Sequence, residues 1–374
     1  MIDQNITIKR SSIAVIGAGP AGLSMGYYLK KSGLDYVLLE KAHTASSWYR
    51  MADSLQVISP AWTNALPGNR PPLWGWYRKP KALEYANYLT SYRRKNGINV
   101  EEGVEVFDVS VSEKQSSRFV LNTSNGLYFV NAIVSATGYY GNPWMPELKN
   151  GNDASIPQIH ACDYKNARQL ESLVGKAARI LIVGRRVTAG QLMVELVKNG
   201  FEVTLSTRGA VEPRNGSLLG RIKDVVFYPY EELLIRMKPE LKMDSFAKMD
   251  GGESERLLRN GIVSVVTPLE QIRDGMIQLI DGSMVEADLI IYATGYRPCL
   301  SYVSTLIRTD GNWMPETKNM ESTKVPGLFF LGLDNLWNYR SRYLRGIRRD
   351  SCKLAELIKR HLVSLSKAPS GPVL

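Results

Sequence analysis

A glycine-rich turn close to the N-terminus constrains the fold of this chain more than any other feature. Residues 12–17 form a short apolar run that ends in the turn Gly17-Ala18-Gly19-Pro20-Ala21-Gly22. Apolar residues then recur at helical spacing as far as Lys31, and a second apolar run over residues 36–39 closes on Glu40. The pattern predicts a strand, a tight turn, a helix and a second strand.

The three glycines of this turn have separate physical roles. Gly17 permits the turn, Gly19 lets the backbone approach a pyrophosphate, and Gly22 lets the helix pack closely on the strand. The helix N-terminus then faces the phosphates. Glu40 follows Gly22 by 18 residues, where an acidic side chain accepts hydrogen bonds from an adenosine ribose. We therefore predict a dinucleotide site, with a glycine-rich turn in an unrelated α/β unit as the alternative.

A second copy of this pattern begins at residue 179. Residues 179–184 form another apolar run that ends in a glycine. A helical pattern over residues 188–198 and a strand pattern over residues 201–206 follow it. The order again predicts a strand, a turn, a helix and a strand.

Each copy also has its own closing segment. Residues 132–139 and 289–296 both end in Ala-Thr-Gly-Tyr. The first glycine of each unit precedes its Ala-Thr-Gly by 119 residues (17 to 136) and by 109 residues (184 to 293). The sequence therefore predicts two copies of one βαβ plan. Alternating patterns between residues 104 and 130 predict a small antiparallel insert in the first copy.

Composition excludes several function classes. The three cysteines, Cys162, Cys299 and Cys352, lie too far apart for a disulfide scaffold, a zinc module or a dithiol redox pair, and we expect no metal site. The N-terminus lacks a secretory pattern and no apolar run is long enough to cross a membrane, so we predict a cytoplasmic protein without a membrane span. The net charge of +11 permits attraction to nucleic acid, anionic lipid or phosphorylated small molecules. Without a nucleic-acid-binding signature we expect no nucleic acid partner.

These motifs resemble those of the class B flavoprotein monooxygenases, the flavin-containing and Baeyer–Villiger monooxygenases, and of their compact bacterial members in particular. The resemblance covers nearly the whole chain. It implies an α/β fold of two dinucleotide-binding (Rossmann-like) domains, with the nicotinamide domain inserted into the FAD domain. The implied boundaries are 1–148 and 297–374 for the FAD domain and 149–296 for the NADPH domain.

The resemblance also implies the cofactors FAD and NADPH and assigns candidate residues to each. The FAD candidates are Gly17, Gly19, Pro20, Ala21, Gly22, Glu40, Lys41, Trp48, Val106, Thr137, Gly138, Gly332 and Asp334. The NADPH candidates are Gly184, Arg185, Arg186, Thr188, Ala189, Arg208, Thr294 and Gly295. Residues 59–68 are similar to a family segment that passes near the flavin, which makes Trp62 and Asn64 the flavin-facing candidates.

The implied activity is that of an NADPH-driven monooxygenase acting through a C4a-peroxyflavin on a small organic substrate and O2. N-oxygenation, S-oxygenation and Baeyer–Villiger insertion stay open, as does a homodimer. One alternative is a flavin oxidase or reductase of the same fold with a weakened or lost nicotinamide site. Another is a non-enzymatic flavin-binding protein with a basic interaction surface.

Three motifs depart from the family pattern. Ala45-Ser46-Ser47-Trp48 keeps only the tryptophan of a Gly-Gly-x-Trp motif. A signature containing a histidine survives as His160 and Tyr164, with Ala154 and Ile156 in place of Phe and Gly. We interpret His160 as structural or as a nucleotide contact. The second glycine motif reads Gly184-Arg185-Arg186-Val187-Thr188-Ala189, with Arg186 at the middle glycine.

Arg186 has two interpretations. Its side chain pairs with a phosphate, or it fills the groove and excludes the cofactor. We favour binding, because Arg208 ends the second strand, where an arginine accommodates a 2′-phosphate. The alternative for Arg208 is a solvated surface charge.

Two further clusters each have a structural and a functional interpretation. Spacings of three and four residues predict that Arg342, Arg345 and Arg349 share a helical face, either solvated or anion-binding. An aromatic cluster is interpreted as domain core rather than a substrate cage, with Trp62 as the exception; its members are Trp62, Trp74, Trp76, Tyr77, Tyr85 and Tyr88.

Overall fold

The computed structural model describes residues 7–69, 78–112, 117–150, 155–211, 218–243, 248–249 and 252–367, with the backbone alone over 218–225. Its strands are β1 Ile8–Arg10, β2 Ile13–Ile16, β3 Tyr36–Glu40, β4 Glu101–Glu102, β5 Val106–Val111, β6 Phe119–Thr123, β7 Gly126–Val130, β8 Ala132–Ser135, β9 Gln158–His160, β10 Arg179–Val183, β11 Glu202–Ser206, β12 Ser264–Val266, β13 Leu269–Arg273, β14 Met276–Leu279, β15 Met284–Val285, β16 Leu289–Tyr292, β17 Thr317–Lys318, β18 Glu321–Ser322 and β19 Leu328–Phe330. Its helices are α1 Pro20–Lys31, α2 Ser46–Arg50, α3 Ala82–Lys95, α4 Ala167–Val174, α5 Val187–Lys198, α6 Leu218–Met237, α7 Glu253–Arg259 and α8 Leu344–Lys367, and Ala61–Asn64 and Ser301–Leu306 form 3-10 turns.

The larger sheet is built around strand β2. Within the described ranges it has seven strands in the order β17-β18-β19-β8-β2-β3-β4, and the five from β19 to β4 run parallel. Ile13, Ala14 and Val15 of β2 are fully buried. Such a continuous apolar run is typical of a parallel strand covered on both faces.

The second sheet is built around strand β10. Of the described residues, those of five parallel strands join it in the order β12-β11-β10-β16-β9. Ile180, Leu181 and Ile182 of β10 are buried as completely as the residues of β2. Each sheet therefore has its own apolar core.

The register of the two sheets shows that the long-range repeat is structural. Ile13 of β2 pairs with Tyr36 on one side and with Ala132 on the other. Ile180 of β10 has the equivalent neighbours on β11 and β16. In both units the first strand lies between the second strand and the strand that carries Ala-Thr-Gly at its end. The predicted α/β fold of two Rossmann-like units is confirmed.

Two small antiparallel sheets accompany the parallel ones. Strands β5, β6 and β7 form a meander, and β1 adds to β7 in parallel. This confirms the antiparallel insert predicted between residues 104 and 130. Strands β13, β14 and β15 form the other meander.

Helix α1 begins and ends on local signals that the sequence carries. Pro20 occupies the first turn, where its missing N–H costs no hydrogen bond. Lys30 and Lys31 lie in the last turn, where cations interact favourably with the negative end of the helix dipole. Gly33 has φ +65°, and the backbone N–H of Leu34 returns to the carbonyl of Leu29 at 3.1 Å. The helix therefore stops at the glycine that the sequence indicated.

The arginine-rich segment before and within α8 differs from both interpretations. The Nε and Nη2 atoms of Arg345 each lie 2.7 Å from a carboxylate oxygen of Glu231 on α6. Arg340 is buried and pairs with Glu232, as does Arg349, and Arg342 pairs with Asp334. The prediction of one solvated or anion-binding helical face is wrong. These guanidinium groups form ion pairs with carboxylates of this chain, and Arg342 precedes the helix.

The aromatic cluster is confirmed as core at Tyr85, which is fully buried. Tyr88 packs on it, with ring centroids 5.6 Å apart. Trp74, Trp76 and Tyr77 lie outside the described residues. No helix in the described part of the chain is long and apolar enough to cross a membrane.

Candidate functional site

The turn between β2 and α1 has the shape that the glycines predict. Gly17 has φ +102°, and a Cβ atom there would lie 2.8 Å from the carbonyl oxygen of Ala136. A Cβ atom on Gly22 would lie 1.8 Å from the carbonyl oxygen of Gly17. By contrast, a Cβ atom on Gly19 would point into open space with no atom within 4 Å. Gly17 and Gly22 thus serve packing, while Gly19 leaves a gap that a ligand could enter.

The N-terminus of α1 opens onto this gap. Helix α1 has no side-chain cap on its first turn and no acidic residue in it. The first N–H groups of a helix attract anions, and Pro20 and Ala21 present no side chain that would repel one. The turn therefore fits a pyrophosphate.

Glu40 lies at the end of β3, directly beside the turn. Its Oε2 accepts a hydrogen bond from the backbone N–H of Ala18 at 2.7 Å, and its Oε1 accepts one from Ala42 at 3.1 Å. The side chain is 9% exposed. The Ser46 hydroxyl also donates to Oε1, at 3.5 Å, whereas Oε2 can accept a second hydrogen bond, so Glu40 keeps acceptor capacity for a ribose hydroxyl.

The late strand brings further candidates to the same edge. A Cβ atom on Gly332, which has φ +83°, would lie 3.2 Å from the Cβ of Ala21. Asp334 follows with its side chain 24% exposed and its carboxylate 3.0 Å from Nη1 of Arg342. Thr137 donates to the carbonyl of Cys299 at 2.8 Å, and Gly138 has φ +64°. The Ala-Thr-Gly segment thus ties the end of β8 to the chain that returns after β16.

Three other FAD candidates lie around Glu40. The backbone N–H of Val104 donates to the carbonyl of Glu40 at 2.9 Å, which brings Val106 at the start of β5 close to this edge. Lys41 is exposed. Trp48 is buried, and its ring centroid lies 4.6 Å from that of Tyr85.

The two flavin-facing candidates lie on the 3-10 turn Ala61–Asn64. Asn64 is fully buried, and its Oδ1 accepts hydrogen bonds from the hydroxyls of Ser59 at 2.7 Å and Thr63 at 3.2 Å. Trp62 is half-buried and makes an edge contact with Tyr228 of α6, with centroids 5.8 Å apart. Asn64 shapes its own turn, and Trp62 joins that turn to α6.

The second glycine turn repeats the first. A Cβ atom on Gly184 would lie 2.6 Å from the carbonyl oxygen of Ala293, and the Gly184 N–H donates to Ser206 at 3.0 Å. Ala189 is buried at the place of the third glycine. Arg186 occupies the N-cap position of α5, and its φ of −111° is a conformation that needs no glycine. Helix α5, like α1, has neither a side-chain cap nor an acidic residue in its first turn. Thr188 lies in that turn.

A cavity of about 270 Å³ lies beside this turn, at the ends of β10 and β11. Ser206, Thr207, Arg208 and Trp144 are among its lining residues. The guanidinium carbon of Arg208 lies 5.2 Å from the Trp144 ring centroid. The neighbouring Arg185 donates to the carbonyl of Ala210 at 3.2 Å. An exposed cation over an aromatic wall fits a phosphorylated nucleotide.

Trp144 is a candidate that sequence reasoning missed. The hydroxyl of Thr294 donates to the Trp144 carbonyl, and the Trp144 N–H donates to Gly295 at 3.0 Å. The second Ala-Thr-Gly segment therefore fixes the tryptophan at the cavity. Its position six residues after the first Ala-Thr-Gly is the one signal that the sequence offered.

His160 supports the same segment. Its Nε2 lies 3.0 Å from the Gly295 carbonyl oxygen, and its Nδ1 accepts a hydrogen bond from the Cys162 N–H at 3.1 Å. Burial lowers the pKa of His160. The ring is therefore neutral with the proton on Nε2, and backbone groups use both nitrogens. These contacts fit the structural interpretation of His160. Ala154 lies outside the described residues.

The candidates thus converge on two sheet edges of the same design. Both have a helix N-terminus without a side-chain cap. In both, the first glycine of the turn packs against the alanine of an Ala-Thr-Gly segment, and a candidate side chain lies at the end of the second strand. That side chain is Glu40 in the first unit and Arg208 in the second. Within the described residues no group of three or more His, Cys, Asp or Glu side chains could hold a metal ion.

Comparison with known proteins agrees with this architecture. The family model for pyridine nucleotide-disulphide oxidoreductases matches residues 14–332. An uncharacterized CzcO-like oxidoreductase of Geobacillus kaustophilus is 28% identical, over 93% of this chain and 98% of that one. The probable indole-3-pyruvate monooxygenase YUCCA3 of Arabidopsis thaliana is 26% identical, over 76% of this chain and 72% of that one. The flavin-containing monooxygenase of Stenotrophomonas maltophilia has the same fold, with a TM-score of 0.78, 24% identity and coverage of 95% and 99%.

The matched family and the fold make this chain an FAD-dependent oxidoreductase, similar in sequence to YUCCA3 and in fold to the Stenotrophomonas enzyme. The chain belongs to the pyridine nucleotide-disulphide oxidoreductase family. The resemblance to the flavin-containing monooxygenases is confirmed, and the implied cofactors are FAD and NADPH.

Proposed function

We propose that this protein uses NADPH and O2 to oxygenate a small organic substrate at the nitrogen, sulfur or carbonyl-adjacent position. The proposal rests on a contact that occurs twice, in which the first glycine of a turn packs against the alanine of an Ala-Thr-Gly segment. It joins Gly17 to Ala136 and Gly184 to Ala293, and so builds two nucleotide edges in one chain. Similarity to the Stenotrophomonas enzyme in fold, and to the YUCCA3 enzyme in sequence, supports oxygenation as the outcome.

Bound FAD, reduced by NADPH, would supply the oxygen activation and transfer. The side chains of this protein bind, orient and exclude water. We propose that the N-terminus of α1 with Gly19 holds the pyrophosphate of FAD and that Glu40 holds its ribose. On the second edge, Arg208 and Trp144 hold the 2′-phosphate and adenosine of NADPH.

The sheets support a division into domains. We propose that residues 1–148 and 297–374 form the FAD domain and that residues 149–296 form the inserted NADPH domain. All strands of the larger sheet fall in the first two segments, and all strands of the second sheet fall in the inserted segment.

Disulfide chemistry, which the family name includes, does not suit the cysteines of this chain. Cys162, Cys299 and Cys352 are all free thiols. Burial raises the pKa of Cys162 to about 11 and also raises the pKa of Cys299. A nucleophilic cysteine needs a lowered pKa, so these two thiols are poor nucleophiles.

A flavin oxidase or reductase is the second candidate function, and Arg186 favours it. In the first unit the middle glycine leaves open space for the ligand, whereas the second unit has a long side chain there. If Arg186 blocks the pyrophosphate, NADPH binds weakly and O2 oxidises the flavin without oxygen transfer.

Anaerobic titration followed by oxygen labelling tests the proposal. Purified protein should be yellow and should bleach on anaerobic addition of NADPH. Isotope-labelled O2 should then place one labelled atom in a thioether, amine or ketone probe. A yellow protein that NADPH fails to bleach, or one that bleaches and then releases only hydrogen peroxide with all three probes, would favour the oxidase or reductase. A colourless protein that takes up no FAD would overturn both functions.

A further inference from the structure

Helix α6 exposes a stripe of apolar side chains to solvent, while its buried side carries Glu231 beside Ile235. Val226, Tyr230, Leu233 and Met237 recur at spacings of four, three and four residues, so they share one face. They are 54–64% exposed. We define these four side chains as the outer ridge. A surface helix of a globular protein normally turns such an apolar stripe toward the core.

The carboxylates of α6 lie on its inner side. Glu231 is buried and makes two 2.7 Å contacts with Arg345, and its Oε1 also accepts a hydrogen bond from the Tyr339 hydroxyl at 2.9 Å. Glu232 pairs with Arg340 at 3.1 Å and with Arg349. These contacts fix the rotation of the helix about its own axis. The outer ridge is therefore held outward by ion pairs.

The charges that flank the outer ridge are mainly positive. The exposed charged residues from 233 to 243 are Arg236, Lys238, Lys242 and Glu240. Arg236 lies 3.5 Å from Glu232, a partner that Arg340 and Arg349 share. The whole chain has a net charge of +11. An apolar ridge with cationic flanks complements an anionic lipid surface, where acyl chains accept the ridge and headgroups accept the cations.

We propose that the outer ridge of α6 docks the protein on anionic membranes as a peripheral contact. The helix would lie in the plane of the interface, consistent with its not being apolar enough to cross the bilayer. A second copy of the chain suits the ridge less well. Four side chains at about half exposure offer on the order of 400 Å², below the about 800 Å² per partner that a stable interface buries. Like charges would also face each other across a two-fold axis.

Vesicle sedimentation of the FAD-loaded full chain tests this proposal without turnover, so its outcome is independent of the oxygenase assignment. The probes are vesicles of phosphatidylcholine alone and of phosphatidylcholine with an equal amount of phosphatidylglycerol. The protein should sediment with the mixed vesicles and not with the neutral ones, and added salt should weaken the binding.

A ridge variant and a matched control locate the contact. Tyr230→Ser with Leu233→Ser should weaken binding to the mixed vesicles by at least about tenfold, because two large apolar contacts are lost. Leu173→Ser with Ile262→Ser removes two side chains of equal exposure, 53%, from other surfaces and should leave binding unchanged. Lys238→Gln with Lys242→Gln should weaken binding to the mixed vesicles and its dependence on salt.

Three outcomes would overturn the proposal. They are absence of sedimentation with the mixed vesicles at low salt, equal losses in the ridge and control variants, and conversion of a dimer to a monomer by the ridge variant in gel filtration. The last would assign the ridge to a second copy. Flavin absorbance and circular dichroism of each variant separate lost docking from lost folding, and the lysine variant tests the site without altering the apolar residues.

Discussion

Arg345 and Glu231 form a two-point ion pair that joins α8 to α6, with Nε–Oε2 and Nη2–Oε1 distances both 2.7 Å. The two residues are 114 positions apart in the chain. The Glu231 side chain is 2% exposed and that of Arg345 is 13% exposed. Because water is excluded from this pair, removing either partner leaves the other as a buried charge that water does not solvate.

We therefore expect Glu231→Gln to lower the free energy of unfolding by about 3 kcal/mol, since it leaves a buried guanidinium without its counter-charge. Urea denaturation followed by circular dichroism measures the change. Glu255→Gln breaks an exposed pair with Arg259 and should cost less than about 1 kcal/mol. Equal losses in the two variants would show that water reaches the Glu231 pair.

Gly19→Val should fold and yet lose FAD. A Cβ atom there meets no protein atom within 4 Å, and the Gly19 φ of −80° suits any residue, so the side chain would occupy only the space left for pyrophosphate. We expect FAD affinity to fall at least about tenfold, as for the loss of a charge-assisted contact. Flavin absorbance per protein, after dialysis against FAD, measures it.

Gly311→Val is the matched control, because Gly311 also faces open space and has no positive φ. It should keep its flavin. Gly22→Ala should instead lose the fold, since its Cβ would lie 1.8 Å from the Gly17 carbonyl oxygen. Full flavin occupancy in Gly19→Val would contradict the site.

Arg208→Ala should reduce the preference for NADPH over NADH by about tenfold, because a charge-assisted contact to the 2′-phosphate contributes about 1.5 to 3 kcal/mol. Rates of flavin reduction with each nucleotide provide the comparison. Arg259→Ala removes one exposed cation from α7 and controls for the general field. If both variants retain the wild-type preference, Arg208 is a surface charge.

Arg186→Gly and Arg186→Ala decide between obstruction and phosphate binding. We expect the glycine variant to bind NADPH more tightly than wild type and alanine to lie between, because the Arg186 side chain leaves the α5 turn where backbone should meet pyrophosphate and its charge recovers only part of that loss. Dissociation constants at two salt concentrations measure this. Weaker binding by both variants, with loss of salt dependence, would make Arg186 a phosphate ligand.

Asp350 should make stability depend on pH. Burial raises the pKa of its carboxyl to about 6, although Arg340 and Lys353 oppose the shift, and its Oδ2 has no hydrogen-bond partner among the described residues. The fold favours the protonated form, so this contribution is complete below about pH 4 and is lost as the pH rises through about 6.

Asp350→Asn removes that loss. The difference in unfolding free energy, variant minus wild type, should increase by about 1 to 2 kcal/mol from pH 5 to pH 8. Urea denaturation at both pH values measures it. A constant difference would show that Asp350 ionises in the folded protein as readily as in the unfolded chain.

The sequence predicted the local parts of the fold well. The glycine turn, the end of α1 near Gly33 and the antiparallel insert all rest on neighbours within a few positions, and each is confirmed. Repetition of Ala-Thr-Gly extended the prediction to two units, because the same short pattern recurred with the same flanks.

Pairings between distant segments could not be predicted in this way. Spacing placed Arg345 on a helix correctly, but the burial of its guanidinium depends on Glu231, whose helix has no motif of its own. Trp144 reaches the second nucleotide edge because Thr294 and Gly295 hold its backbone from 150 residues away. Such contacts exist only once both sheets have formed.

The contact of Gly17 with Ala136, repeated by Gly184 with Ala293, has a consequence for how such chains can diverge. Each glycine and its alanine meet in space whatever number of residues separates them along the chain. Material can therefore enter or leave the interval without disturbing the nucleotide edge, as the unequal intervals of 119 and 109 residues illustrate. The partners themselves can change only together, because a larger residue at either glycine requires the facing carbonyl group to move away. The chain length between each glycine and its alanine can therefore vary in this architecture, while the two residues of each pair must be kept together.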